Sequence, residues 1–451
     1  MEKWKFAIRS LLFFILFSVV FLITQEFLRD KWTVGEYNPT SKIKGFYTLK
    51  EGDADVVICG SSQAYADIAP AVLYRDYGIT SYDFCVNEQP LWITYYYVEE
   101  AIEKQHPKVI VLDVFTAFLE DYEAEGVNHF SLDDFPFGTR KLRAIRDSVP
   151  KDLRYSYVFP MAKYHDTWDE LYESKITDSF RTVPDVNKGY SPFVFPASYE
   201  QFAKPAVVQQ TERVEIPQKS KEWLTKIIEL CKENDTGIML IKTPNGNAER
   251  QKLYNSIADY AAEMDVPFLD MNTLIDGQAH VNVVQAEKIT RYLGKELLAH
   301  YSLLDHRYEP ETADTWADTV TSFERALAKN HLIQINNYED YLSCLQENGY
   351  VYCIAFESRG MIAVYNGEEL CYSSPNEYDT TGFSSNVNGA NIEAKMVQKE
   401  DGVYESELLV NGTDYSLKEY GINIAVYDPY TAEMTDMAAF DLETGELLLR
   451  K

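Results

Sequence analysis

Basic residues are scarce in this 451-residue chain: 42 Lys and Arg stand against 71 Asp and Glu, a formal net charge of −29. That balance repels nucleic-acid backbones and anionic headgroups, and no local basic cluster offsets it, so nucleic acid is not an expected partner. Proline (17) and glycine (21) are few beside a 46% hydrophobic share. The chain is therefore neither collagen-like nor mostly disordered, because it has enough apolar surface to offset the entropy of ordering. Cysteine is scarcer still. Cys59, Cys85, Cys231, Cys344, Cys353 and Cys371 form no C-x-x-C pair and show no zinc spacing, so neither a metal nor a cofactor is expected. Oxidation of Cys344 to Cys353 across a short hairpin stays open, whereas cysteines inside apolar runs such as Val56-Val57-Ile58-Cys59 behave more often as small hydrophobes. Aromatic residues are abundant at 14%, 33 of them Tyr, which suits a core and a wet, sugar-like or partner surface equally well. The length exceeds one ordinary core and implies two globular domains.

One long apolar run is present, uncharged from Ser10 to Gln25 and preceded by Lys3, Lys5 and Arg9. Counted from Phe6 to Leu28 it reaches spanning length with Arg9 and Glu26 at the two interfaces. A cleaved signal peptide needs a small-residue cleavage site, and Phe27-Leu28-Arg29-Asp30-Lys31-Trp32 offers none. Residues 1–28 thus read as an uncleaved signal-anchor transmembrane helix of a single-pass cell-membrane protein. The bulk of the chain is then expected outside the cytoplasm, although Arg29 and Lys31 on the far flank act against that orientation.

Beyond a polar linker (29–52), residues 53–305 alternate apolar runs with helical periodicity. Asp55–Cys59, Lys108–Val114, Gly237–Ile241 and Val266–Asp270 read as strands, and Leu91–Gln105, Ser220–Lys232, Arg250–Met264 and Gln285–Tyr301 as helices. Continuous apolar strands separated by helices predict an α/β domain, a parallel sheet covered by helices on both faces. Near 115–216 the rhythm is lost in an aromatic, proline-bearing insertion. Residues 306–331 read as an acidic helical connector. Residues 332–451 read as a β-rich domain, with strand-like runs at Tyr350–Ile354, Met361–Val364 and Ile422–Tyr427 and hairpin dipeptides Asn366-Gly367, Asn388-Gly389 and Asn411-Gly412. The acidic pairs Asp53/Asp55 and Asp133/Asp134 read as solvated linker and loop charges.

The sharpest local feature is Val56-Val57-Ile58-Cys59-Gly60-Ser61-Ser62-Gln63, an apolar strand stopping at Gly-Ser-Ser where a helix begins. A hydroxyl there sits at a strand's carboxyl end beside free helix N–H groups that can stabilise an oxyanion, though Ser is also an ordinary helix cap. A serine nucleophile needs a base, commonly His held by a carboxylate. His280, in Asp276-Gly277-Gln278-Ala279-His280-Val281-Asn282 just before the last α/β helix, belongs to a loop that can reach the same sheet edge.

As an ordered set, Gly60-Ser61-Ser62, Tyr82–Leu91, Pro107–Asp113 and His280-Val281-Asn282 with Ala286-Glu287-Lys288 and Tyr292-Leu293-Gly294 resemble the SGNH, or GDSL-like, hydrolases. The flavour is that of the membrane-anchored group handling cell-envelope polymers, similar to the D-alanyl-lipoteichoic acid protein and alginate O-acetyltransferase relatives. Asn128-His129, Tyr164-His165-x-x-Trp168 and Lys188-Gly189-Tyr190 also resemble segments of that group. The resemblance covers roughly 53–301 and implies a flavodoxin-like three-layer fold. It also implies Ser62 as nucleophile, His280 as base and Asp276 as the orienting carboxylate, with an oxyanion hole from the Ser62 N–H, the Cys85 to Asn87 loop and Asn128. The implied reaction is ester hydrolysis or O-acyl transfer on a cell-envelope polysaccharide, with an acyl donor or a membrane acyl exporter as partner and no cofactor. Three positions depart from the pattern. Asp276 lies four residues before His280, where three is usual. Cys85 or Glu88 replaces a glycine, and Glu88 would set a negative charge near a developing oxyanion. Gln285 stands where Gly is common. These departures leave a second expectation, a catalytically impaired scaffold or glycan-binding protein of the envelope. The run Tyr420–Asp428, with Asn337–Leu342 and Tyr350–Tyr352, resembles the interleukin-like EMT inducer domain, which implies a binding appendage without catalysis.

Overall fold

β-Branched and aromatic runs become five strands: β1 (Val56–Gly60), β2 (Ser81–Cys85), β3 (Val109–Asp113), β4 (Gly237–Lys242) and β5 (Phe268–Asp270). All pair in parallel in the order β2-β1-β3-β4-β5. This is the flavodoxin-like doubly wound order, in which ligands sit outside the carboxyl ends of the strands where the order reverses, between β1 and β3. The computed structural model describes residues 2–31, 38–122, 124–171, 173–196, 210–245, 247–275, 280–400, 402–419 and 421–451. The chain falls into two units, Met1–Phe193 with Ala197–Phe323, and Val194–Pro196 with Glu324–Lys451.

In the first unit, alternation along each strand divides the apolar side chains between two faces. Val57, Cys59, Ile110, Leu112, Ile238 and Leu240 join one core with the helices Leu91–Gln105 and Gln218–Glu233. Val56, Ile58, Val109, Val111 and Ile241 are equally buried and point the other way. The helices Pro70–Tyr77 and Val283–His300 pack together, and Gly294 lets them touch, since a Cβ there would lie 2.4 Å from the Tyr77 ring. The expected strands and helices are all present. β2 was not anticipated as a strand because Ser81 and Asp83 interrupt its apolar pattern, yet Tyr82 and Phe84 feed the core while Asp83 is fully buried.

Two expectations about charge and linkage are corrected. Part of the stretch read as a polar linker is a helix, Pro39–Phe46, built into the core, where Phe46 stacks on Phe84 at 3.9 Å. The side chains of Asp133 and Asp134 are buried rather than solvated. Asp133 accepts from Tyr164 at 2.7 Å and pairs with His129 at 2.8 Å, and Asp134 pairs with Arg29 at 2.9 Å. Among its described residues the insertion is a set of short helices, Glu125–Leu132, Thr139–Ser148, Arg154–Val158, Met161–Tyr164 and Glu173–Phe180. The N-terminal helix runs Glu2–Leu28. Its Trp4–Leu28 stretch is long and apolar enough to cross a membrane.

The second unit is antiparallel. Its strands are β6 (Val351–Phe356), β7 (Met361–Asn366), β8 (Glu369–Ser373), β9 (Phe383–Val387), β10 (Ala390–Gln398), β11 (Tyr404–Val410), β12 (Thr413–Asp414), β13 (Ile422–Asp428), β14 (Glu433–Phe440) and β15 (Leu447–Arg450). They form a six-stranded sheet, β15-β14-β13-β6-β7-β8, and a four-stranded sheet, β12-β11-β10-β9. Val351, Cys353 and Val364 meet Ile392, Met396 and Leu408 between the sheets. The helix Tyr338–Glu347 covers the other face through Tyr341 and Leu345. Asn366-Gly367, Asn388-Gly389 and Asn411-Gly412 sit at hairpins, and the last two pairs take positive φ throughout, as type I′ turns require. Cys344 and Cys353 are both free. They belong to a helix and a strand in separate cores, not to the two arms of a hairpin.

Candidate active site

The reversal point of the sheet is built by Gly60, Ser61 and Asp113. Gly60 has φ +145°, and a Cβ on it would lie 2.6 Å from the Asp113 Cβ, so only glycine lets the ends of β1 and β3 approach this closely. Ser61 caps the helix Ser62–Asp67: its Oγ accepts from the Gln63 N–H at 3.2 Å and donates to Asp113 Oδ2 at 2.5 Å. Asp113 Oδ1 accepts from the Phe115 N–H at 2.9 Å. Burial pushes the Asp113 carboxyl up, and the Ser61 hydrogen bonds oppose that rise by favouring its ionised form. With Ser61 engaged as the cap, Ser62 is the first residue of the helix. It is 8% exposed, and its hydroxyl takes no hydrogen bond among the described residues.

The loop after β5 delivers His280 to this same turn, with Gln63 Nε2 at 3.1 Å from His280 Nδ1. The imidazole stacks on Phe193 with centroids 5.4 Å apart and planes 12° from parallel. Burial pushes its pKa down to about 4, which favours the neutral ring a general base must be. The next residue, Val281, donates its N–H to Asp67 Oδ1 at 3.4 Å. Asn282 and Gln285 then close a capping box on the helix Val283–His300, with reciprocal bonds of 3.0 Å. That box explains glutamine at the position where the resemblance expects glycine. Asp276 lies outside the described residues.

The expected oxyanion residues are spread out. Cys85 ends β2 with its thiol donating to Ile58 O at 3.4 Å, and burial holds that thiol well above its usual range. Asn87 follows at the same edge, its Oδ1 accepting from Tyr65 OH at 2.8 Å. Asn128 lies on the insertion helix Glu125–Leu132, donating to Ala124 O at 2.7 Å. It lines a cavity of about 250 Å³ with Glu88, Trp92, Phe118 and Arg250, to which neither Ser62 nor His280 contributes. The exposed Glu88 shares that cavity.

Sequence reasoning missed the polar layer beneath these groups. Lys242, fully buried at the end of β4, donates to Thr243 O and reaches Asn272 Oδ1 at 3.5 Å. Burial pushes its pKa down to about 8 against the opposing pull of Asp113, Asp67 and Asp270, while burial raises Asp67 to about 8. Asn245 bridges the layers: its N–H donates to Asn272 Oδ1 at 2.8 Å, and its Nδ2 lies 3.5 Å from Gln63 Oε1. The signal available in the sequence was a charge closing three of the five strands, as Asp113, Lys242 and Asp270 do.

No protein-family profile and no curated protein matches the sequence. Among solved structures the chain is similar to a "putative acylhydrolase" from Bacteroides fragilis NCTC 9343, with a TM-score of 0.31 and 9% identity over 57% of this chain and 94% of that one. A likeness at that score is too slight to carry a functional conclusion.

Proposed function

We propose that this chain is a membrane-anchored, extracytoplasmic SGNH-like acyl esterase or O-acyltransferase acting on a cell-envelope polysaccharide. The observation that supports this most is the meeting of the turn after β1 with the loop after β5 through Gln63 and His280, 3.1 Å apart, at the reversal point of a doubly wound sheet. Ser62 Oγ attacks the acyl carbonyl as His280 takes its proton. The oxyanion faces the N–H of Ser62 at the start of the helix and the loop carrying Asn87. His280 returns the proton to the leaving alkoxide. Water or a sugar hydroxyl then attacks the acyl-serine, giving acid or transferred ester and restoring Ser62. Asp276 is the carboxylate proposed to orient the base.

Hydrolysis of an aryl acetate by the full chain in detergent, compared with Ser62→Ala and His280→Ala, tests the reading. Loss of turnover in both variants supports it, and equal rates in all three refute it. A second reading, a non-catalytic glycan-binding scaffold, draws on one observation: with the Gln63 amide donating, His280 Nδ1 acts as an acceptor and the neutral ring carries its proton on Nε2. Equal rates would favour that reading.

A further inference from the structure

Phe159 of the insertion packs its ring against Phe21 of the N-terminal helix, with centroids 6.4 Å apart. Phe21 lies well inside the apolar stretch. At a helical rise of about 1.5 Å per residue it is ~7 Å deeper than Glu26, the last charged residue of that helix. Phe180 meets Phe27 edge-on at 5.6 Å. The helix end is also tied to the globular unit by polar bonds. Arg29 pairs with Asp134 at 2.9 Å, Thr167 Oγ1 donates to Leu28 O at 2.9 Å, and Lys175 reaches Asp30 at 3.0 Å. If the apolar helix enters a bilayer to the level of Glu26, the Phe159 contact carries part of the insertion below that level.

The side chains presented there suit such a position. Tyr155 (58%), Phe159 (49%), Trp168 (61%), Ile176 (39%) and Phe180 (66%) are exposed within one short stretch, although burial of apolar surface away from water is favourable for each. Aromatic rings of this kind are the side chains that bilayer interfaces favour.

We propose that residues 154–171 and 173–180 form an interfacial platform, immersed beside the spanning helix at the boundary between headgroups and acyl chains, whose partner is the lipid surface itself. The platform rests on the membrane-anchored reading given under the proposed function. Its attraction is apolar, because a chain of net charge −29 gains nothing from anionic headgroups, so it operates on zwitterionic phosphatidylcholine. The insertion that carries the platform leaves β3 at that strand's carboxyl end, the sheet edge that also carries Ser62. The proposed active site is thereby held close to the membrane, where an acyl group or acceptor tethered to lipid can reach it.

The test places the full chain in phosphatidylcholine nanodiscs with acyl chains brominated near the glycerol, and reads tryptophan quenching. Phe159→Trp adds a reporter to the platform. Tyr308→Trp adds one at an 84% exposed residue beside His306, which bonds Asp55 at the amino edge of the sheet. Subtracting Trp168→Phe from the unaltered chain isolates native Trp168 without relying on a new side chain, and subtracting Trp4→Phe reports insertion of the helix. We expect about a twofold loss of emission at positions 159 and 168 and none at 308, since interfacial rings lie within the brominated layer. Quenching of Trp4 without quenching at 159 or 168 overturns the platform and leaves the anchor standing. Absence of quenching at Trp4 as well overturns both.

Discussion

The amide of Gln63 stands 3.1 Å from His280 Nδ1, and so the residue after the proposed nucleophile holds the proposed base. The two are 217 positions apart, and the sheet order brings them together. With the Gln63 amide donating to Nδ1 the proton sits on Nε2, and with the amide turned over to accept, the proton sits on Nδ1 and Nε2 is the base.

Gln63 is therefore expected to act as a positioning residue. Gln63→Leu should lower kcat for aryl acetate by about tenfold with little change in KM, a fraction of what general base catalysis contributes. Gln63→Glu should move the acid limb of the pH–rate profile upward, because a carboxylate beside Nδ1 favours the imidazolium. A purely structural role would leave that limb where it was.

The position of the limb in the unaltered chain is a second expectation. His280 is pushed down to about 4 by burial, from an ordinary value of 6.5. The neutral ring persists as pH falls, so kcat/KM should hold through pH 6 and decline only toward pH 4. Stability follows the same sign: the contribution of a neutral His280 is fully present above pH 6.5 and is lost as pH falls from there toward 4, when the unfolded chain binds a proton that the folded chain refuses. Denaturant titrations of the unaltered chain and His280→Gln between pH 4 and 7 should diverge in that window.

Ser61 and Ser62 should separate cleanly. Ser61→Ala removes the helix cap and the hydroxyl donor to buried Asp113, and should cost about 1–3 kcal/mol while turnover stays within about tenfold. Ser62→Ala breaks no hydrogen bond among the described residues, and should leave the melting temperature unchanged while abolishing turnover. Thermal unfolding and aryl acetate hydrolysis on the same two preparations give the comparison.

Much of the architecture was legible because its signals are local. Val56–Cys59 and Val109–Leu112 are uninterrupted apolar runs, and the Asn-Gly pairs at 366, 388 and 411 fell at hairpins. The opening Gly60-Ser61-Ser62 turn and the loop before Asn282 could be placed at one edge from strand order alone. What escaped depends on partners distant in sequence. β2 hides Asp83 in its middle, and the burial of Asp133 and Asp134 follows from His129, Tyr164 and Arg29. Glu88 explains one departure in physical terms: its φ of +46° is the left-handed conformation that suits the glycine expected from the resemblance. Asn128 could not be placed without the insertion's path, and it lines a cavity to which Ser62 and His280 do not contribute.

Lys242 is a group whose removal should hurt the fold. It is a buried cation facing Asp67 and Asp113, with the exposed Asp270 at the end of β5, and Lys242→Met should cost about 1–3 kcal/mol by leaving the Thr243 and Asn272 oxygens without their donor and Asp113 without its counter-charge. Denaturant midpoints at pH 7 measure the loss. Pairing Lys242→Met with Asp67→Asn should recover little of it at pH 7, because burial raises Asp67 to about 8 and keeps it mostly protonated there.

The most direct measurement is to react the folded chain with a serine-directed fluorophosphonate and locate the modified residue by peptide mass spectrometry. The account predicts a single adduct on Ser62, absent in His280→Ala and retained in Ser61→Ala. An adduct on another serine, or labelling of Ser62 that is indifferent to His280, would contradict it.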